Sequence, residues 1–298
     1  MTHNYVPAMP PRFEGARNTP RLDRMETMFQ STQIPWRLLS AIAALACASS
    51  AASAQRFRTQ PRDIPYQNVP YDGRFTFARL RYEPAPGGYY YFGIPPWAHG
   101  YGFDPNPANE RAGRNLAKIV NEISAVHPRV DAGNVFALDD PELCKYPVAY
   151  MTEAGYWTMT DKEALAFRQY LQKGGFVIFD DSRDPPRGGG GWDNFEQQMR
   201  RVIPDGRFVD LEPSMPIFHS FFEINSFDII PQDYDRGRPI LRGLFEDNDP
   251  KKRLMAIVNY NTDVSNFWEF SDQGFAPVEL SNEAYKLGVN YIVYGLTH

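Results

Sequence analysis

The chain has 298 residues, 43% hydrophobic and 22% charged, with a formal net charge of −5, a balance that supports a real core and excludes global disorder. The acidic excess excludes a nucleic-acid coat, because backbone binding needs a basic face. A spanning helix needs about 20 consecutive apolar residues, and the chain has no such run, which excludes a multi-span membrane protein.

Residues 1–54 read as an N-terminal extension distinct from the rest. Trp36-Arg37 precede the short apolar run from Leu38 to Ala46, and Ala52-Ser53-Ala54 sets small side chains where a signal peptidase reads, with Gln55 as the new N-terminus. Starts at Met25 or Met28 would give an ordinary signal peptide. Two alternatives stay open. The segment can act as a single weak anchor with a cytoplasmic tail carrying Arg12, Arg17, Arg21, Arg24 and Arg37. It can also be lipidated at Cys47, although Ala44 stands where Leu is usual. All three deliver residues 55–298 to the periplasm or the extracytoplasmic face of a membrane, with membrane contact only through residues 36–54 if these are uncleaved. The exported part holds 26 Lys and Arg against 33 Asp and Glu, a net charge of −7. It keeps only Cys144, so no intramolecular disulfide and no zinc–thiolate cluster can form.

Residues 55–72, with Arg56, Arg58, Pro61, Arg62, Pro65 and Pro70, read as an extended linker. Residues 73–298 then read as a single α/β domain. Phe75 to Tyr82 alternates as a strand. Residues 83–107 form a long Gly/Pro/Tyr loop, and loops of this length are commonly functional or interaction surfaces; Tyr89, Tyr90, Tyr91 and Trp97 are the candidate partner surface. A helix over about 107–126 carries Leu116, Ile119, Val120 and Ile123 on one face and ends before Pro128. Val148 to Met151 is a buried strand. Thr160-Asp161-Lys162-Glu163 is a capping box whose helix buries Ala164, Phe167 and Leu171 and stops at Gly174-Gly175. Phe176 to Phe179 is the next buried strand, expected to end near Asp180. Strand, helix and strand make a βαβ crossover and hence a parallel sheet. Asp193 caps a helix bearing Phe195, Met199 and Val202. Strands follow at 207–211, 240–245 and 254–260, and a last helix runs from Ser281 through Leu296.

Ligands of open parallel sheets bind beyond the carboxyl ends of the strands. That rule nominates Glu153 after one strand and Asp180-Asp181 after the next. Two adjacent carboxylates repel unless a proton, a cation or N–H donors compensate, so Asp180 and Asp181 are the candidate catalytic or metal-ligating pair. The bland alternative is one capping aspartate and one solvated one. His219, alone among the exported histidines in a strongly apolar stretch, is a further candidate beside its reading as a satisfied, semi-buried side chain. His99 and His127 sit beside loops without a spacing signal. The glycines at 188–191 lack a following Lys-Ser/Thr, so they make no P-loop, and no metalloprotease or nucleophile-elbow motif occurs.

Phe75 to Tyr82, Tyr150-Met151-Thr152, Gly174 to Asp181, Met199 to Pro204, Pro216 to Ser220 and Ala284 to Asn290 together resemble, over about residues 73–298, the bacterial domain-of-unknown-function family 4159. The resemblance implies a three-layer sandwich with a mainly parallel sheet of the class I glutamine amidotransferase-like, flavodoxin-like type. It supplies no reaction. A glutaminase needs a cysteine on a tight turn after a strand, where this chain has Asp180-Asp181-Ser182, which argues against glutamine amidotransfer. Family members are expected to carry Gly-His after the Tyr-Met-Thr strand. Glu153-Ala154 stand there instead, which weakens a histidine-based mechanism.

Two functions remain. One is a non-catalytic accessory or binding subunit of a membrane or periplasmic assembly, with a protein partner at the membrane's outer face, a small ligand at the sheet crevice and no cofactor. The other is a hydrolase or carbohydrate-processing enzyme using Asp180, Asp181, Glu153 and His219, with or without a metal.

Overall fold

The computed structural model describes residues 64, 66–85, 94–100, 110–184, 191–231, 237–274 and 276–298, all within the unit Thr59–His298. The signal-peptide segment and Tyr89, Tyr90 and Tyr91 lie outside the described residues. No helix among the described residues is long and apolar enough to cross a membrane.

Apolar runs at Val148–Thr152 (β4) and Phe176–Ser182 (β6) place a side chain on each face at every step, so both strands are buried on both sides. They pair in parallel, Val148 opposite Phe176. The helix between them, Asp161–Gln172 (here α2), starts at the Thr160 capping box: Thr160 Oγ1 accepts from Glu163 N, and Glu163 Oε2 accepts from Thr160 N at 2.8 Å. It stops where Gly174 takes φ +109°, a conformation that a side chain would strain. Alternation along β6 then assigns the layers. Val177 and Phe179 pack with Ala164, Phe167 and Leu171 of α2 and with Phe195, Met199 and Val202 of Gly191–Val202 (α3). Phe176 and Ile178 pack with Leu116 and Val120 of Ala112–Ile123 (α1), Phe267 and Trp268 of Val264–Glu269 (α4), and Leu287 and Tyr291 of Val278–Thr297 (α5). Phe195 meets Phe179 at 4.9 Å between centroids and stacks on Trp157 at 6.0 Å. Each such ring contributes about 1.5–3 kcal/mol by leaving water.

The seven-stranded sheet is completed by Ala78–Arg81 (β1), Asn134–Ala137 (β3), Phe208–Asp210 (β7), Ile240–Phe245 (β8) and Leu254–Tyr260 (β9), in the order β3-β1-β4-β6-β9-β8-β7. The first five are parallel, and β8 and β7 close one edge antiparallel. Glu83–Pro84 (β2) and Trp157–Thr158 (β5) form a small separate ladder. This is an α/β three-layer sandwich on a mainly parallel sheet. The strand order reverses around β1, whose parallel neighbours β3 and β4 both follow it in sequence, so the crevice rule points to the carboxyl ends of β1, β4 and their neighbours.

Three local expectations are corrected. The first helix begins at Ala112 rather than near 107, because the Glu110 carboxylate accepts from the amides of Gly113 and Arg114. Asp193 lies inside the first turn of α3; Asp184 instead accepts from Trp192 N at 2.9 Å. And β6 runs on to Ser182, through a bulge against β9 between Phe179 and Ser182.

Candidate functional site

The β6 bulge separates two aspartates that adjacent strand positions would simply have sent to opposite faces. Asp180 keeps the alternation and turns toward α4 and α5, fully buried. Its Oδ1 accepts from Asn259 Nδ2 at 2.9 Å and Val264 N at 3.2 Å, and its Oδ2 from Tyr150 Oη at 3.0 Å and Ser265 N at 2.8 Å. Burial raises its pKa to about 6, and the bonds from Asn259, Val264 and Ser265 hold it from rising further. Asp180 pins the start of α4 to the sheet.

Asp181 takes φ 51° and leaves the ladder geometry. Its Oδ2 lies 3.0 Å from His99 Nδ1, and its Oδ1 has no hydrogen-bond partner among the described residues although the side chain is only 2% exposed. Glu153, directly after β4, is also left-handed, at φ 50° and ψ 35°. Its amide donates to Asp180 O at 3.1 Å and its carbonyl accepts from Tyr82 Oη at 2.8 Å, so the strands on either side fix it. Its carboxyl group lies near enough to that of Asp181 for their charges to interact and stands 4.0 Å from His99 Nδ1. Asp263, just past β9 and fully buried, brings Oδ2 to 3.6 Å from the same nitrogen. Its Oδ1 accepts from Ser265 Oγ and Asn266 N.

His99 reaches this point from the loop after β1. The buried Arg79 guanidinium holds that loop by donating to the carbonyls of Trp97 at 3.2 Å and His99 at 2.6 Å, and it pairs with Glu110 at 2.9 Å. It also lies 5.0 Å over the Tyr150 ring, a cation–π contact. Gly100, at φ +96°, lets the chain turn beside it; a Cβ there would stand 2.9 Å from Arg79 Nη2. Four segments, each at or beyond the carboxyl end of a neighbouring parallel strand, therefore deliver one imidazole and three carboxylates to a single point.

The electrostatics follow from crowding like charges out of water. Burial first, then the charge of Asp181, push the Glu153 carboxyl up to about 8, so one proton stays on the pair. Burial by itself would lower the His99 pKa, but Asp263 and then Asp181 outweigh it and raise the value well above 6.5. Such a centre can share a proton, orient a water or hold a cation with one nitrogen and several oxygen ligands.

Of the sequence candidates, Glu153 and Asp181 meet here, and Asp180 lies just beneath as a support. His219 does not join them. It belongs to the 3-10 turn Pro216–His219, where Nδ1 pairs with Glu223 and Nε2 lies 2.8 Å from Pro213 O. Trp97 is not a surface residue: it is 7% exposed and sits in the core, edge-on to Tyr66. Cys144 is exposed on the turn before β4, at the opposite edge of the sheet. His99, Asp263 and Arg79 were missed. Applied to the strand at 254–260, the strand-end rule nominates Asp263 directly. His99 carries only a weak signal, a histidine in the loop after the first strand.

No curated protein matches the chain. A family model described as Domain of unknown function (DUF4159) matches residues 76–296, which hold every strand of the sheet and all four converging side chains, and the chain belongs to that family.

Proposed function

We propose that the domain is a hydrolase of the bacterial envelope that uses water as its nucleophile at His99, Glu153, Asp181 and Asp263. The convergence of one imidazole and three carboxylates at the carboxyl edge of the parallel sheet carries this reading. Two further features support it. A non-glycine residue held at positive φ costs on the order of 1–3 kcal/mol, and such strain gathers at working sites; here both Glu153 and Asp181 bear it. Among the described residues a covalent nucleophile has no support, because Ser182 Oγ makes no hydrogen bond to a base and Cys144 lies at the far edge.

In the proposed reaction the ionised form of Glu153, which becomes the major form as pH rises past about 8, takes a proton from water as the water oxygen attacks the substrate's electrophilic centre. The bond to the leaving group breaks, and Glu153 returns the proton to the departing oxygen or nitrogen. Asp181 and His99 orient the water. The envelope location rests on the signal-peptide-like segment ending at Ala54, and the accessory-subunit role becomes the alternative.

The test is turnover by the purified full chain of chromogenic carboxyl esters, phosphate esters, amides and glycosides. The expected result is hydrolysis of one class, reduced at least 100-fold in Glu153→Gln and Asp181→Asn and retained in His219→Ala. An inert panel, or turnover unchanged in the first two variants, would favour a binding domain.

A further inference from the structure

Buried carboxylates are expected to be paired with a cation or protonated, since burying an isolated charge is costly. Around His99 there are three acidic groups for one imidazole, with a fourth, Asp180, one residue behind. The charge imbalance alone assigns nothing. A second, separate observation does: among the described residues no donor reaches the buried Asp181 Oδ1, in a side chain 2% exposed. The buried hydroxyls of Thr152 and Ser182, at the ends of β4 and β6, also lack hydrogen-bond partners among the described residues.

The spacing of the ligand atoms is more specific. Nitrogen and oxygen ligands at about 2.1 Å from a metal ion stand about 3.4 Å apart in a tetrahedron and about 3.0 Å apart at adjacent corners of an octahedron. His99 Nδ1 lies 3.0 Å from Asp181 Oδ2 and 3.6 Å from Asp263 Oδ2, and all three ligand atoms fall within 4.8 Å of one another. Each is positioned from outside the cluster: His99 by Arg79 through its carbonyl, Asp263 by Ser265 and Asn266 on its other oxygen, and Asp181 by the β6 bulge. Outer contacts of this kind set the orientation of metal ligands.

We propose that His99, Asp181 and Asp263 form a divalent transition-metal site, with Glu153 beside the ion as the group that exchanges protons with its bound water. One imidazole with two carboxylates suits Zn²⁺ or Mn²⁺ better than Ca²⁺ or Mg²⁺, which favour all-oxygen shells. The role given to the water rests on the hydrolase reading above; the ion site itself does not.

The experiment is calorimetric titration of the chelator-treated full chain with ZnCl₂, MnCl₂, CaCl₂ and MgCl₂, with thermal melts alongside. One equivalent of Zn²⁺ or Mn²⁺ is expected to bind and raise the melting temperature. Asp181→Asn and His99→Ala should each weaken binding at least tenfold, and His219→Ala should leave it unchanged. Asp263 also starts α4, so its variant is informative only if it melts like the parent without metal. Absence of stoichiometric binding, or equal affinity in Asp181→Asn and His99→Ala, would overturn the site. The two proposals separate cleanly. Binding without turnover of any test substrate keeps the ion site and removes the hydrolase. Turnover that persists in chelator with no stoichiometric binding does the reverse.

Discussion

Replacing Asp180 by Asn changes one oxygen into an amino group and little else in volume. In the parent, each carboxylate oxygen accepts two hydrogen bonds, from Asn259 and Val264 on one side and from Tyr150 and Ser265 on the other. The new amide can keep one side only. Tyr150 can swing its hydroxyl, but a backbone amide of α4 cannot turn away, and a buried donor left unpaired costs about 1–3 kcal/mol. Loss of charge assistance on the remaining bonds brings the total to about 2–4 kcal/mol. For a domain of this size, that corresponds to a drop of roughly 5–15 °C in melting temperature. Asp181→Asn is the matched control. Asn tolerates the left-handed backbone as Asp does, and the change removes one of several crowded negative charges, so its melting temperature should stay within about 2 °C of the parent. Thermal melts of the three chains in chelator decide the matter. If Asp180→Asn melts like the parent, or if both variants fall together, the division between a structural and a crevice-facing aspartate is wrong.

Arg79→Met should cost about 3–5 kcal/mol by leaving Glu110 buried without its partner, and Glu110→Gln in the same background should recover part of the loss in urea melts. Thr160→Ala removes the capping box at the start of α2 and should cost about 1 kcal/mol, read as a small fall in urea midpoint with unchanged slope. Cys144→Ser should leave stability and any turnover unaltered, because the thiol is exposed at the edge opposite the site; loss of function with a thiol reagent, without unfolding, would contradict this. Intact mass of material from the envelope should correspond to a chain starting at Gln55, and retention of residues 25–54 would promote the anchor.

Much of the fold was legible because its signals are local. The β4–α2–β6 crossover is written in two apolar runs, a capping box and a glycine stop, and each acts within a few residues. The β8 and β9 strands are likewise visible as apolar runs, although their antiparallel pairing is a tertiary matter. The site was only half legible for the same reason. Glu153 and Asp181 stand directly at strand ends, where one rule finds them, and Asp263 obeys that rule too. His99 arrives through a turn held by Arg79 from the middle of β1, a contact 20 residues back in sequence that no local pattern announces. The β6 bulge is equally silent: alternation suggested that two consecutive aspartates face apart, and only the left-handed backbone at Asp181 explains how it enters the crevice while Asp180 braces α4. His219 drew attention through its apolar neighbours, yet those neighbours only pack its turn against α5.

The convergence of His99 with Glu153, Asp181 and Asp263 is tested most directly by the NMR titration of the His99 imidazole in the chelator-treated full chain. The folded value is expected well above 6.5, because Asp263 and Asp181 favour the charged ring. The stabilisation this brings is fully present below the unfolded value and is lost as pH rises through the folded one. Asp181→Asn should lower the His99 pKa toward the ordinary range and leave that of His219 where it was. An ordinary His99 pKa that does not respond to Asp181→Asn would mean that the four side chains do not form one centre.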